Sequence, residues 1–311
     1  MKKCLVIIAA RGIGDLIYHL PLLRSLHESH KKKLIIISNQ VNHAKEVYKN
    51  ENFYEKIFYF DNTRFSLFKT LKAIKNLTNL INDCNVDQLI LTASPRRLMM
   101  PVYMAKVKEK IIFGGGDFIL TKNKKYDHLI HAEKIMKYTE DLNLPIKRKD
   151  FFLKKTDFKK IEENNYKSKV FISLDSHHDQ NNWETKNYIK IIKKILAYDI
   201  KIFINFSPNK SYFMKILPKE FVTSKKISFT CKKKISEIIE IINSCNYVIG
   251  NESGPVCLAA SLDKEVHSIY IPVNTKPESK IINSKTRYYS TKKESNETII
   301  NKITNSILSE N

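Results

Sequence analysis

Asp15 is the side chain best placed to do chemistry. It follows a small-residue turn, Arg11-Gly12-Ile13-Gly14, which itself follows an apolar run from Cys4 to Ala10. Leu16, Leu20, Leu23 and Leu26 then recur at helical spacing. The pattern predicts a buried strand, a glycine turn and a helix, with the carboxylate where strand gives way to helix. In an open parallel sheet that point is the carboxyl edge, where ligands bind. A lone acid there, with glycines clearing the space before it, has the placement of a general base. It also has the placement of a helix cap, and the segment alone leaves both readings open. A dinucleotide fingerprint fits poorly. Gly12 and Gly14 supply two glycines, the third position is Ile17, and the next apolar run, Leu34 to Ile37, ends in Ser38-Asn39 without a ribose-binding acid.

A second stretch mirrors the first. Asn246 to Gly250 reads as a strand, Asn251-Glu252-Ser253-Gly254 as a turn, and Pro255 opens a helix at a position where its missing N–H costs nothing. The small residues Ala259 and Ala260 let that helix lie close to a sheet. Its free N–H groups suit an anion, with a pyrophosphate as the natural occupant; a plain turn with a serine cap is the alternative. A third stretch, Asp175 to Tyr188, follows a predicted strand at 169–174 and carries the chain's one tryptophan, Trp183. His177, His178 and Asp179 invite a metal reading, but adjacent histidines point apart. Hydrogen bonding to substrate or phosphate, or a purely structural role for the loop, are the readings that remain.

The elements needed to position these residues alternate along the chain. Strands are expected at 3–10, 34–38, 56–60, 88–93 and 110–114, with helices near 15–29, 42–50, 65–83, 96–107 and 131–143. After a stretch rich in Lys, Glu and Asn the pattern restarts. Strands follow at 169–174, 200–205, 227–230, 246–250 and 265–271, with helices at 185–198, near 210–217, 235–244 and 254–262, and a last amphipathic helix over about 293–309. Such alternation implies parallel sheets covered on both faces. The expected division is 1–150, a linker over 151–168, a second α/β domain over 169–290 and a C-terminal helix over 291–311. A two-lobed binding protein would show the same pattern.

The length, 311 residues, suits two domains of about 150 residues. Hydrophobic residues make up 42%, which excludes a disordered chain, and no apolar run approaches the roughly 20 residues of a membrane span. Five cysteines without a C-x-x-C pair argue against a disulfide framework and a zinc site, and suit a reducing cytosol. Net charge is +22, from 54 basic and 32 acidic residues. The basic runs, Lys31–Lys33, Lys122–Lys125 and Lys232–Lys234, lack the interleaved aromatics of a single-strand binder and match no nucleic-acid motif. They read as solvated faces or as attraction to an anionic membrane.

Taken in order, these segments resemble glycosyltransferase family 9, the bacterial heptosyltransferases of lipopolysaccharide core synthesis. The family's opening signature is matched by Gly14-Asp15 and Leu20-Pro21-Leu22-Leu23-Arg24-Ser25-Leu26, its middle one by Trp183 and Tyr188, and its last one by Glu252-Ser253-Gly254-Pro255-Val256-Cys257-Leu258-Ala259-Ala260-Ser261-Leu262. His131 to Pro145 is similar to the family's helix before the domain crossover.

The resemblance implies a GT-B fold, two Rossmann-like domains facing a central cleft, and inverting transfer without a metal or other cofactor. Asp15 becomes the general base, with Arg11, Gly12 and Gly14 on the acceptor side. Asn181, Lys186, Glu252, Ser253, Gly254 and Cys257 become donor-binding, with His177, His178 and Trp183 also in the cleft. The implied partners are a nucleotide-diphosphate sugar, ADP-heptose or another, and a lipid-linked glycan, with peripheral contact at the inner face of the cytoplasmic membrane and no nucleic acid. Three positions depart from the pattern: Glu252 replaces an Asp, Cys257 a His and Asn181 a Lys. They cluster on the donor side, so they bear on donor identity. The alternative is a non-catalytic relative that binds a glycan or a nucleotide sugar. A nucleotide-sugar epimerase of the same architecture would need more acid and base groups than the sequence offers.

Overall fold

Strands and helices alternate from Cys4 to Leu308 in the computed structural model, which describes residues 2–60, 67–93, 95–113, 126, 129–154, 166–176, 179–271 and 279–309. The chain divides into two compact units, Met1–Leu153 and Lys154–Asn311.

The first unit contains β1 (Cys4–Ile8), α1 (Ile13–His30), β2 (Leu34–Asn39), α2 (Ala44–Val47), β3 (Tyr54–Phe60), α3 (Leu67–Asp83), β4 (Gln88–Leu91), α4 (Arg96–Met104), β5 (Glu109–Ile112) and α5 (His131–Asp141). Its strands form one parallel sheet in the order β3-β2-β1-β4-β5. β1 is central and apolar at every position, as a strand buried on both faces must be. Leu5, Ile7, Ile35, Ile37, Leu89 and Leu91 point to one face, where Leu77 and Ile81 of α3 and Leu98, Met99 and Val102 of α4 cover them. The chain leaves β1 toward β2 but leaves β4 toward β5, in opposite directions across the sheet. Right-handed crossovers therefore put α1 on the face opposite α3 and α4. α5 packs against α1.

The second unit contains β6 (Ser168–Ser173), α6 (Thr185–Leu196), β7 (Ile200–Asn205), α7 (Phe213–Ile216), α8 (Lys219–Thr223), β8 (Ile227–Phe229), α9 (Ile235–Ser244), β9 (Tyr247–Asn251), α10 (Gly254–Ser261), β10 (Glu265–Tyr270), α11 (Ser279–Ile282), β11 (Thr286–Ser290) and α12 (Asn296–Leu308). Its parallel sheet has the order β11-β10-β9-β6-β7-β8. Val170, Ile172, Ile202, Ile204 and Ile249 meet Tyr188, Ile191, Ile192 and Ile195 of α6 and Ile299, Ile300, Ile303 and Ile307 of α12. The last helix thus packs on α6 as part of this unit. Gly250 in β9 is required by space. A Cβ there would lie 3.0 Å from Ser173 Cβ and 3.1 Å from Val256 Cγ2, so the hydrogen lets α10 sit close to the sheet.

Several sequence expectations need correction. Residues 42–50 are not one helix: a 3-10 turn, Gln40–Asn42, and α2 are separated by His43, whose φ of 57° breaks the helical path. The helix expected near 210–217 is a 3-10 turn, Pro208–Lys210, then α7, with α8 beyond Pro218. β11 was not foreseen. Residues 151–153 belong to the first unit rather than to a linker, because Phe151 and Leu153 are buried there. His177 and His178 lie outside the described residues.

Candidate active site

Each sheet has one place where successive connections depart in opposite directions, and ligands of open α/β sheets bind outside the strand ends at such a switch point. In the first unit it lies between β1 and β4. Thr92, just past β4, donates its N–H to Ile7 of β1 at 3.1 Å, which holds the two strand ends together. The Arg11–Asp15 turn leaves β1 at this point.

Asp15 is the third residue of α1, and Gly12 N–H donates to its Oδ2 at 2.7 Å. That bond is a helix cap, and the capping reading is therefore met. Half the carboxylate remains. Oδ1 lies 3.5 Å from Nε2 of His131, the first residue of α5, and the Asp15 side chain keeps 27% of its surface exposed. Gly12 has an ordinary φ of −83°, so its role is space: a Cβ would stand 2.8 Å from Oδ2. Arg11 and Gly12 are exposed beside the carboxylate, and Gly14 is buried under the helix start.

Beneath Asp15 the packing is polar. His19 is fully buried, and its Nδ1 lies 2.6 Å from the Asp15 carbonyl, so Nδ1 carries the hydrogen. Burial, with His131 as a lesser cause, lowers its pKa to about 3 and keeps it neutral. The His131 ring contacts the rings of His19 at 5.7 Å and Tyr18 at 6.0 Å between centroids. Burial also lowers the pKa of His131 below its ordinary value, opposed by Asp15 and reinforced by Lys134. In the sequence, 131–143 reads only as a helix. The position of His131 depends on α5 returning to α1, which no local pattern in the chain announces.

In the second unit the switch point lies between β6 and β9, and two of the sequence-derived segments meet there. The loop after β6 carries Asp175–Trp183, and the turn after β9 carries Glu252–Gly254. Asn251 ties them: its Oδ1 accepts the Trp183 N–H at 2.7 Å and its Nδ2 donates to the Leu174 carbonyl at 3.2 Å. The buried Trp183 indole donates to Asn296 Oδ1 at 2.8 Å, which anchors the loop to the start of α12. Trp183 is thus a brace for the loop. Asn251 was missed; its only sequence signal is a polar residue ending an apolar strand.

The donor-side residues occupy varied places. Ser253 caps α10 in extended backbone with no side-chain bond to the helix, leaving Oγ unpartnered, and Gly254 opens the helix beside it. Asn181 Oδ1 likewise has no partner. Glu252 is turned aside. Its carboxylate accepts from the Ser268 hydroxyl at 2.6 Å and from the N–H and hydroxyl of Ser279 at 2.6 and 2.9 Å. The extra methylene relative to Asp lets it span β10 and the start of α11. Lys186 is exposed and pairs with Glu184 at 2.9 Å. Cys257 is only 2% exposed, packed into the core one turn past Gly254, so its thiol presents no polar group at the open helix start. Lys210, near the Asn181 loop, is held by Asp179 at 2.5 Å and Asp175 at 3.4 Å.

Two parallel α/β sheets, each with candidate residues at its switch point, are the architecture of the GT-B fold, which the chain shares with solved heptosyltransferases. The chain belongs to glycosyltransferase family 9 (heptosyltransferase), whose model matches residues 119–305. It is accordingly a nucleotide-sugar-dependent glycosyltransferase. Among solved structures it is similar to the family 9 glycosyltransferase of Veillonella parvula DSM 2008 (14% identity, 94% of this chain and 86% of that one, TM-score 0.72). It is similar to E. coli ADP-heptose lps heptosyltransferase II (11% identity, 99% of each chain, TM-score 0.72). It is also similar to E. coli heptosyltransferase WaaC with ADP (13% identity, 99% of this chain and all of that one, TM-score 0.72). At these identities the likeness is one of fold. No curated protein sequence matches the chain.

Proposed function

We propose that this enzyme transfers a heptose or related sugar from a nucleotide-diphosphate donor to a lipid-linked glycan of the cell envelope, such as lipopolysaccharide core, with inversion and without a metal. The supporting observation is Asp15: a carboxylate at the switch point of the first sheet, with one oxygen pinned by Gly12 and the other left for a proton. In this reading Asp15 takes the proton of the acceptor hydroxyl. The hydroxyl oxygen bonds to the anomeric carbon from the face opposite the diphosphate, which departs with its electron pair. Within the second unit, the N–H groups at the start of α10, at Ser253 and Gly254, are the ones suited to the diphosphate of a donor. ADP-heptose heads the donors to test, because structures with this fold include WaaC with ADP and with a fluorinated ADP-heptose.

The second reading, a relative that binds without turnover, draws on the donor side. Glu252, Lys186 and Lys210 are all engaged by other residues, and Cys257 is buried. One experiment separates the two. Donors are screened by calorimetry and transfer is then followed with Asp15→Asn. The expected result is a loss of about 10²–10⁴ in turnover, the usual contribution of a general base, with donor affinity within a few-fold. Near-normal turnover in the variant would make Asp15 a cap alone, and binding without transfer by the native chain would favour the second reading.

A further inference from the structure

We propose that His131 is the positioning partner of Asp15 and the next stop for the proton that Asp15 removes. This rests on Asp15 being the base, as proposed above. In the first step the acceptor O–H bond breaks and an O–H bond forms on Asp15 Oδ1, as the sugar–oxygen bond forms and the bond to diphosphate breaks. In the second step that Oδ1–H bond breaks and an N–H bond forms on His131 Nε2, which leaves a carboxylate beside an imidazolium. In the third step the Nδ1–H bond of the imidazolium breaks and that proton passes to water; exchange with water then returns the remaining hydrogen from Nε2 to Nδ1, so that Asp15 is ionised and Nε2 is free to accept again.

The geometry favours this assignment over a ring that only fills space. Nε2 faces the one carboxylate oxygen that Gly12 does not occupy, at 3.5 Å. Nε2 itself is buried against the carboxylate, while the side chain as a whole keeps 31% of its surface exposed, so the ring touches both Asp15 and solvent. His19 cannot serve, being fully buried with its Nδ1 hydrogen spent on the Asp15 carbonyl. Among the described residues, the ionisable groups around His131 are Asp15, Tyr18 and His19 from α1, and Glu133 and Lys134 from α5. Glu133 is turned to the backbone N–H of Ile130. Asp15 alone favours the imidazolium, while burial and Lys134 disfavour it. The ring is therefore neutral and ready to accept at neutral pH, and the proton does not stay on it.

The test has two arms. In the first, the full chain labelled on its histidine rings is titrated by NMR, as the native protein and as Asp15→Asn. The His131 midpoint should lie below 6.5 in the native protein and fall further in the variant, because the carboxylate that favours the imidazolium is gone. An unmoved midpoint overturns the pairing. In the second, His131→Gln, which keeps length and polarity without titrating, is assayed against pH with whichever nucleotide sugar the native chain uses. We expect kcat to fall roughly tenfold, less than the 10²–10⁴ of a base itself, with the donor KM within about twofold. The decline of kcat that follows His131 protonation below pH 6.5 should vanish, and added imidazole should restore part of the rate. A native kcat and pH profile in His131→Gln overturns the relay. A native chain that transfers no sugar overturns the proposed function and the relay together, whereas an unmoved NMR midpoint overturns the relay alone.

Discussion

Gly12 and Asp15 show how small a difference sets a reactive group. The glycine has no unusual backbone, yet its missing methyl is what lets Oδ2 come within 2.7 Å of its N–H. In Gly12→Ala the carboxylate must turn away, because its oxygen would lie 2.8 Å from the new carbon. The expected result is a fall in kcat of up to about 10²-fold, the cost that a misplacement of about 1 Å can carry. Stability should change by less than about 1 kcal/mol, because the site is exposed. Steady-state kinetics beside thermal melts would check this, and an unchanged kcat would mean that Asp15 need not be aimed. This pair was legible in the sequence because glycine and acid are neighbours in it. The rest of the site was less so. That Glu252 points at Ser268 and Ser279, that Cys257 is buried, and that His131 meets Asp15 all depend on elements brought together from far along the chain.

Among the elements, α1 does two jobs, and Arg24 carries the second. Its guanidinium binds Glu51 at 2.8 Å and donates to the carbonyls of Asp150 and Phe152 at 2.8 and 2.7 Å. It thus fastens the end of the first unit to the helix that carries Asp15. Glu51 is 1% exposed on its side chain, so Arg24→Ala would leave a buried carboxylate without its cation. Removing one partner of such a pair costs about 3–5 kcal/mol, which in a unit of this size lowers Tm by roughly 6–20 °C at 2–4 °C per kcal/mol. Arg24→Met combined with Glu51→Gln should recover part of that loss, since no buried charge is then stranded. Calorimetry of the three proteins would decide; equal melting points would show the network to be incidental. The same scale explains what could be read beforehand. Runs such as Cys4–Ile8, Leu34–Asn39 and Ile200–Asn205 are buried on both faces and announce themselves as strands. β11, with Arg287 exposed and only Tyr289 in the core, carries no such run. His43 and Pro218 end helical segments that periodicity alone would continue.

For the whole molecule, the sequence states the charge but not where apolar surface remains uncovered. No helix among the described residues is long and apolar enough to cross a membrane. On α4, Met100, Tyr103 and Met104 recur at one helical face and stay exposed, Met104 at 55%, with Leu71 exposed on α3, which packs beside α4. Lys72, Lys75, Arg97, Lys106 and Lys108 are exposed on and just after the same two helices. Exposed apolar side chains on helices that also carry exposed cations, in a chain of net charge +22, have the composition of a surface suited to anionic lipid. A lipid-linked acceptor, in the function proposed above, would be met there. Each Lys or Arg near such a surface contributes about 1 kcal/mol, and salt shortens its reach to about 8 Å at 0.15 M and 3 Å at 1 M. The chain should therefore float with vesicles containing phosphatidylserine or phosphatidylglycerol at low salt, float less at high salt, and not float with phosphatidylcholine alone. Met100→Ser combined with Met104→Ser should lower partition by about tenfold, since burying part of two methionine side chains is worth about 1.4 kcal/mol or more. The same double variant should leave the melting point nearly unchanged, as both side chains lie outside the core. Equal flotation on neutral and anionic vesicles, or no effect of the double variant, would remove the α3–α4 face from the account and leave the excess charge as simple solvation.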